Sequence, residues 1–211
     1  MAAGSSVSSS AGDTSTEESS GVSSISRQTS IDVSQPVNDI DQIWDRNATV
    51  HEQLQCCVHH LVSEIATSQP DALAVCAWDG DFTYSQLEEL ASCVANTILQ
   101  HGVKHRSVVP LLFSKSRWTS VSMLAIIKVG CIAVALDATQ PDKRLLSIVE
   151  QVYPRIILSS PEHYRRATSL ANVPVIQIDD ALLNPKFSKW AIFHLPYTIS
   201  PSDIVYISFT S

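Results

Sequence analysis

The chain has 211 residues, 45% of them hydrophobic, with a formal net charge of −7, which is enough length for one sizeable domain. The charge is uneven: residues 1–45 carry seven acids and one base, whereas 46–211 carry fourteen acids and thirteen bases. The near-neutral part lacks the clustered lysines and arginines of a nucleic-acid surface, and no basic region followed by an apolar core marks a secretory signal.

Thirteen serines and three threonines fall between Ser5 and Ser34, and no aromatic residue precedes Trp44. Such a segment buries too little apolar surface to offset its ordering entropy, so residues 1–45 are expected to be a disordered, acidic tail and linker. Arg27-Gln28-Thr29-Ser30 sets a base three residues before a serine, a spacing some kinases prefer, but an unmodified leader is the plainer reading.

Regular patterning begins at Thr49 and defines a second region, 46–211. Thr49 with Glu52 has capping-box spacing, and Leu54, Val58, Leu61 and Ile65 predict an amphipathic helix ending before Pro70. Ala72–Trp78, the turn Asp79-Gly80-Asp81 and Phe82–Tyr84 read as a hairpin. Ser85 with Glu88 repeats the capping spacing ahead of a helix with Leu87, Leu90, Val94 and Ile98 on one face, closed by Gly102.

A strand is expected over Val108–Phe113, a helix over Arg117–Val129 and a strand over Cys131–Leu136, the signature of a parallel βαβ unit. Residues 120–138 are apolar over nearly a membrane-spanning length, but Lys128 and Gly130 near the middle favour a helix, a turn and a strand. Pro141 opens a helix to about Val152 with Leu145, Ile148 and Val149 inward. A strand at Arg155–Leu158, a short helix at Pro161–Leu170 and a strand at Val173–Ile178 follow. Ala181–Ser202, with Pro185, Pro196 and Pro201, reads as a loop or lid. The last nine residues, DIVYISFTS, read as a buried strand over Ile204–Phe209 and an opening turn, which predicts that the chain is part of something longer. The fold class is therefore α/β, a sheet with helices on both faces.

Little chemistry is visible in the residues themselves. Cys56, Cys57, Cys76, Cys93 and Cys131 are odd in number without CxxC spacing and fit reduced, buried thiols in a cytoplasmic protein. His59 and His60, adjacent on a helix, are expected to point in different directions, so no metal site is expected. Arg165 and Arg166 read as a solvated helix face. Ligands of open α/β sheets bind at the carboxyl ends of strands, where Thr210 and Ser211 stand after the final strand and suit phosphate binding. A phosphate cradle also needs glycines, and none follows Gly130. Asp137 ends a strand where an Asp more often caps than catalyses. Ser114, Lys115 and Ser116 follow a strand, where ligand contacts occur, but an ordinary loop of hydroxyls and a base is the plainer reading. His194 has no acid or nucleophile at a telling spacing, and Trp78, Trp118 and Trp190 read as packing residues rather than a stacking platform.

Three segments carry a family resemblance. FTYSQLEEL (82–90) resembles the first conserved motif of nonribosomal peptide synthetase adenylation domains, and IKVGCIAVALD (127–137) the second. The terminal YISFTS resembles the opening of the third, the phosphate loop. AVCAWDGDFTY, VVPLLFSKSRWTSVSMLAIIKVG and QPDKRLLSIV are similar to the fungal multimodular synthetases in particular. Cys131, Ala138 and Ser114 depart from the family's usual glycine or alanine, proline and glutamate.

The resemblance implies the amino-terminal subdomain of the adenylate-forming, acyl-CoA synthetase/luciferase-like fold, reaching the phosphate loop. It implies a parent ligase that uses ATP and Mg2+ to turn an amino acid into an aminoacyl adenylate and loads a phosphopantetheinylated carrier protein beside a condensation domain. It carries Thr210 and Ser211 over as nucleotide-binding and no catalytic residue, so the chain alone is expected to be inactive. Two alternatives stay open, a non-catalytic docking module or relic of that fold, and an acyl-CoA synthetase fragment.

Overall fold

The computed structural model describes residues 39–48, 54–183 and 195–209, and the chain divides into two units, 1–52 and 53–211. In the first, the described element is a helix, α1 (Asp39–Asn47), which runs across the expected boundary at residues 45 and 46. The rest of the described chain belongs to the second unit.

Helix α2 covers Val58–Ser68 with Cys57 as its cap, eight residues later than the Thr49 signal suggested; Thr49 and Glu52 lie outside the described residues. Cys57 is extended (φ −79°, ψ 142°) and buried, so the chain bends there and leaves Leu54 and Val58 exposed. Strands β1 (Leu73–Ala77) and β2 (Gly80–Thr83) form the expected antiparallel hairpin, with Ala77 opposite Gly80 and Trp78-Asp79 as the two-residue turn.

Helix α3 covers Tyr84–Gln100. Its capping box lies two residues before the predicted one: the Gln86 amide donates to the Thr83 hydroxyl, and the Thr83 amide donates to the Gln86 side chain. Thr83 wins because it ends β2 in the extended conformation that a capping residue needs. Glu88, freed from capping, instead pairs with Lys128 and accepts from the Ser63 hydroxyl.

Four parallel strands form the main sheet in the order β4-β3-β5-β6, with β3 at Val108–Phe113, β4 at Ile132–Asp137, β5 at Ile157–Ser159 and β6 at Val175–Gln177. Pro110 has no N–H to give the ladder, and pairing of β3 with β5 begins one residue later, at Leu111 opposite Leu158. Helices α4 (Arg117–Lys128), α5 (Asp142–Val152) and α6 (Tyr164–Leu170) complete the fold.

Alternation along the strands divides the core between two faces. Val109, Leu111, Ala133 and Leu158 meet the α3 and α4 side chains Val94, Ile98, Val121 and Ala125. Leu112, Val134, Leu136 and Ile157 meet Leu145, Ile148 and Val149 of α5 with Ala167 and Leu170 of α6. Each fully buried Leu or Ile contributes on the order of 1.5–3 kcal/mol, so helices are held to both sides. The apolar run at 120–138 is a helix, a turn at Gly130 (φ 60°) and a strand, and among the described residues no helix is long and apolar enough to cross a membrane.

The expected buried strand at Ile204–Phe209 is corrected. The segment lies parallel beside β4 through one bridge, Ala133 to Tyr206, made by the Ala133 amide to Val205 O (2.9 Å) and the Ile207 amide to Ala133 O (3.0 Å). Ile204, Val205 and Tyr206 are exposed, while Ile207 and Phe209 pack on the α5/α6 side. With a sheet neighbour on one side, it takes an edge conformation.

Candidate functional site

Loops after β3, β5 and β6 meet the hairpin turn around a cleft of about 560 Å³ at the carboxyl end of the sheet, lined among others by Trp78, Asp79, Ser114, Trp118, Glu162 and Asp180. Asp79 lines it from the hairpin turn. Its carboxylate accepts from the Ser116 hydroxyl (2.6 Å) and the Arg117 amide (3.0 Å), while Ser116 caps α4 by accepting from the Trp118 amide. Burial alone would push the Asp79 carboxyl up; the bonds from Ser116 and the Arg117 amide outweigh it and hold the group below its ordinary range.

Arg117 joins the walls. Its guanidinium lies 4.6 Å from the Phe82 ring centroid and 5.5 Å from that of Trp118, and bonds Asp180 at 2.8 Å, which also accepts from Trp118 Nε1. Gly80 sits at φ 125°, where a Cβ would overlap that guanidinium; the turn and the close approach both require glycine. These long-range pairings of Asp79, Arg117 and Asp180 have no local sequence signal.

Ser114, Lys115 and Ser116, whose plainer reading is an ordinary loop, line the cleft, but Ser116 is committed to Asp79 and the helix cap. Ser114 Oγ lies 3.1 Å from His163 Nε2, and Glu162 Oε1 lies 3.3 Å from the same nitrogen. A nucleophile relay needs serine and acid on opposite ring nitrogens, so this trio is no relay. Trp118 packs edge-to-face on Phe82 at 5.2 Å, as expected of a packing residue. Trp78 does not: it is 81% exposed, held at the turn by its Nε1 donating to Lys115 O. Trp190 and His194 lie outside the described residues.

At the other strand ends, Asp137 accepts from the Thr139 amide (2.9 Å) and hydroxyl (2.8 Å); these bonds and one from Gln140 hold its carboxyl below the ordinary range. It closes a turn rather than capping a helix, since the helix that follows is capped at Pro141. Arg166 is more than a solvated residue. It bonds Asp142 and the carbonyls of Ala138 and Gln140, pinning the loop after β4, while Arg165 is exposed. All five cysteines are free, although Cys76 is exposed rather than buried, and burial pushes the Cys131 thiol up to about 12. Thr210 and Ser211 lie outside the described residues; Phe209 precedes them beside β4.

The model of the family described as AMP-binding enzyme matches residues 62–211. The chain belongs to the AMP-binding enzyme family. It is 41% identical over 181 residues, 82% of its length, to nonribosomal peptide synthetase ungA of Aspergillus violaceofuscus, of which it covers 2%. It is 37% identical over 177 residues, again 82% of its length, to peramine synthetase A of Epichloe festucae, of which it covers 6%. The chain thus spans a small part of the curated relatives it matches. Its fold is similar to that of VinN in complex with 3-methylaspartate, with a TM-score of 0.68 at 20% identity over 76% of this chain and 45% of that one. It is also similar to the nonribosomal peptide synthetase FmoA3 bound to α-methyl-L-serine-AMP, with a TM-score of 0.65 at 21% identity over 79% of this chain and 18% of that one.

Proposed function

We propose that residues 46–211 supply the amino-terminal part of an adenylation site that activates an amino acid with ATP and Mg2+ and passes it to a carrier-protein thiol beside a condensation domain, with residues 1–45 as a leading tail. The observation that carries this reading is the family match across 62–211, which includes the motif at 127–137 that builds the end of α4 and β4. The synthetase relatives favour an amino-acid substrate over an acyl-CoA synthetase or a docking module.

The role of this chain is scaffold. Its parallel sheet holds the segment up to Phe209 beside β4, and Thr210 and Ser211 follow as the hydroxyls that would begin a phosphate-binding turn. No glycine follows Gly130, so the rest of a phosphate cradle is not supplied by these residues, and adenylation by the 211 residues alone is not expected. The Thr210 role is tested by joining the chain in frame to the remaining adenylation segment of peramine synthetase A. Thr210→Ala should raise the KM for ATP there and leave that for the amino acid unchanged; an unchanged KM for ATP removes Thr210 from nucleotide binding.

A further inference from the structure

The start of α2 gathers three metal-ligand side chains. Donor atoms of Cys57, His59 and His60 lie within 4.8 Å of one another, and the two imidazole centroids are 4.2 Å apart with planes tilted by 60°. The expectation that adjacent histidines point apart is corrected: side-chain torsions close the angular step between neighbouring helical positions. A second observation is independent of this clustering. His59 is 7% exposed, and its Nδ1 is buried with no hydrogen-bond partner among the described residues. Buried ring nitrogens are ordinarily satisfied, and an orphan calls for a donor, a water or an ion.

We propose that Cys57, His59 and His60 form a three-ligand zinc site with water in the fourth position. One thiolate with two imidazoles is a donor set zinc prefers, and three protein ligands plus an open position is a tetrahedral arrangement it adopts. Zn–S and Zn–N bonds of about 2.3 and 2.0–2.1 Å put the donors about 3.5 Å apart, so the present outer separation has to close by roughly 1 Å. Exposed His60 has the freedom to do so. Cys57 and His59 line a cavity of about 120 Å³ that Cys56 and Asp203 also border. Asp203 is not the fourth ligand, because its carboxylate already serves His105, Arg106 and the Ser200 amide. Lys128, the nearby cation, is paired with Glu88, which offsets its repulsion of a metal ion.

On binding, the Cys57 S–H bond breaks, a Zn–S bond forms and the proton passes to solvent. The Cys57 thiol now donates to the Ile199 carbonyl at 3.6 Å, a bond that the thiolate gives up when the metal takes its sulfur.

The test uses the tag-free, chelator-treated 211-residue chain titrated with Co2+ and then Zn2+. One equivalent of Co2+ should give a near-ultraviolet sulfur-to-metal band with tetrahedral visible bands, and Zn2+ should bleach both. Cys57→Ser should abolish the near-ultraviolet band, His60→Ala should weaken binding by about tenfold or more, and Cys76→Ser should change nothing. Absence of saturable one-to-one binding, or a sulfur band that survives Cys57→Ser, overturns the proposal. Because His60 is exposed, His60→Ala keeps the test decisive should Cys57→Ser unfold the chain; binding unaffected by that variant also overturns it.

Discussion

Asp203 holds Arg106, 97 residues earlier, through guanidinium bonds of 3.0 and 2.6 Å to one carboxylate oxygen, while its other oxygen meets His105 Nε2 at 3.0 Å. Arg106 stands at φ 63°, a conformation that non-glycine residues take only under constraint. The pair ties the segment that runs beside β4 to the loop before β3. His105 extends the tie by stacking on Tyr197 at 4.6 Å.

The Ser200 amide and then Arg106 lower the Asp203 carboxyl from its ordinary 3.8 to about 2. A carboxyl depressed in the folded state stabilises it fully above the unfolded pKa and loses that contribution as pH falls through the folded one. Thermal melts should therefore show a Tm loss between about pH 4 and pH 2 that Asp203→Asn reduces. The same acid limb in both proteins would show that Asp203 carries none of it.

Lys128 is buried at 8% exposure and its partner is Glu88. Removing one member of a buried pair strands the other charge, whereas replacing both with apolar groups costs far less. Since the Glu88 side chain is 25% exposed, Glu88→Ala should destabilise by about 1–3 kcal/mol in urea, and Glu88→Ala with Lys128→Met by less. A double variant at least as unstable as the single one would deny that the stranded ammonium is the cause.

Gly80 carries two constraints at once, φ 125° and the Arg117 guanidinium over it. Gly80→Ala should lower unfolding free energy by about 1–3 kcal/mol, measured by urea melts. Gly102, with φ 69° and open space within 4 Å of where a Cβ would stand, is the control: Gly102→Ala should cost less. An equal loss at both would leave backbone conformation alone as the explanation.

Much of this architecture can be read from local patterns. The bounds of β3, the hairpin around Asp79 and Gly80, and the inward faces of α3 and α5 follow from alternation, turn residues and helical spacing. The start of α2 is not legible in the sequence, because Cys57 makes no side-chain cap bond that would mark it and its tertiary contact with Ile199 lies 142 residues away. The cap of α3 is ambiguous for a local reason: Thr83 with Gln86 and Ser85 with Glu88 share one spacing, and only the strand before Thr83 decides. The exposure of Trp78 and the meeting of His59 with His60 depend on side-chain placement, which residue type does not fix.

Whether this chain is the scaffold of an amino-acid-adenylating site is decided by amino-acid-dependent exchange of labelled pyrophosphate into ATP. The 211-residue chain should show none. Joined to the remaining adenylation segment of peramine synthetase A, and shown by a cooperative melt to be folded, it should exchange with at least one amino acid and not with fatty or aryl acids. A folded fusion that exchanges with no amino acid, or robust exchange by the 211 residues alone, would contradict the scaffold role.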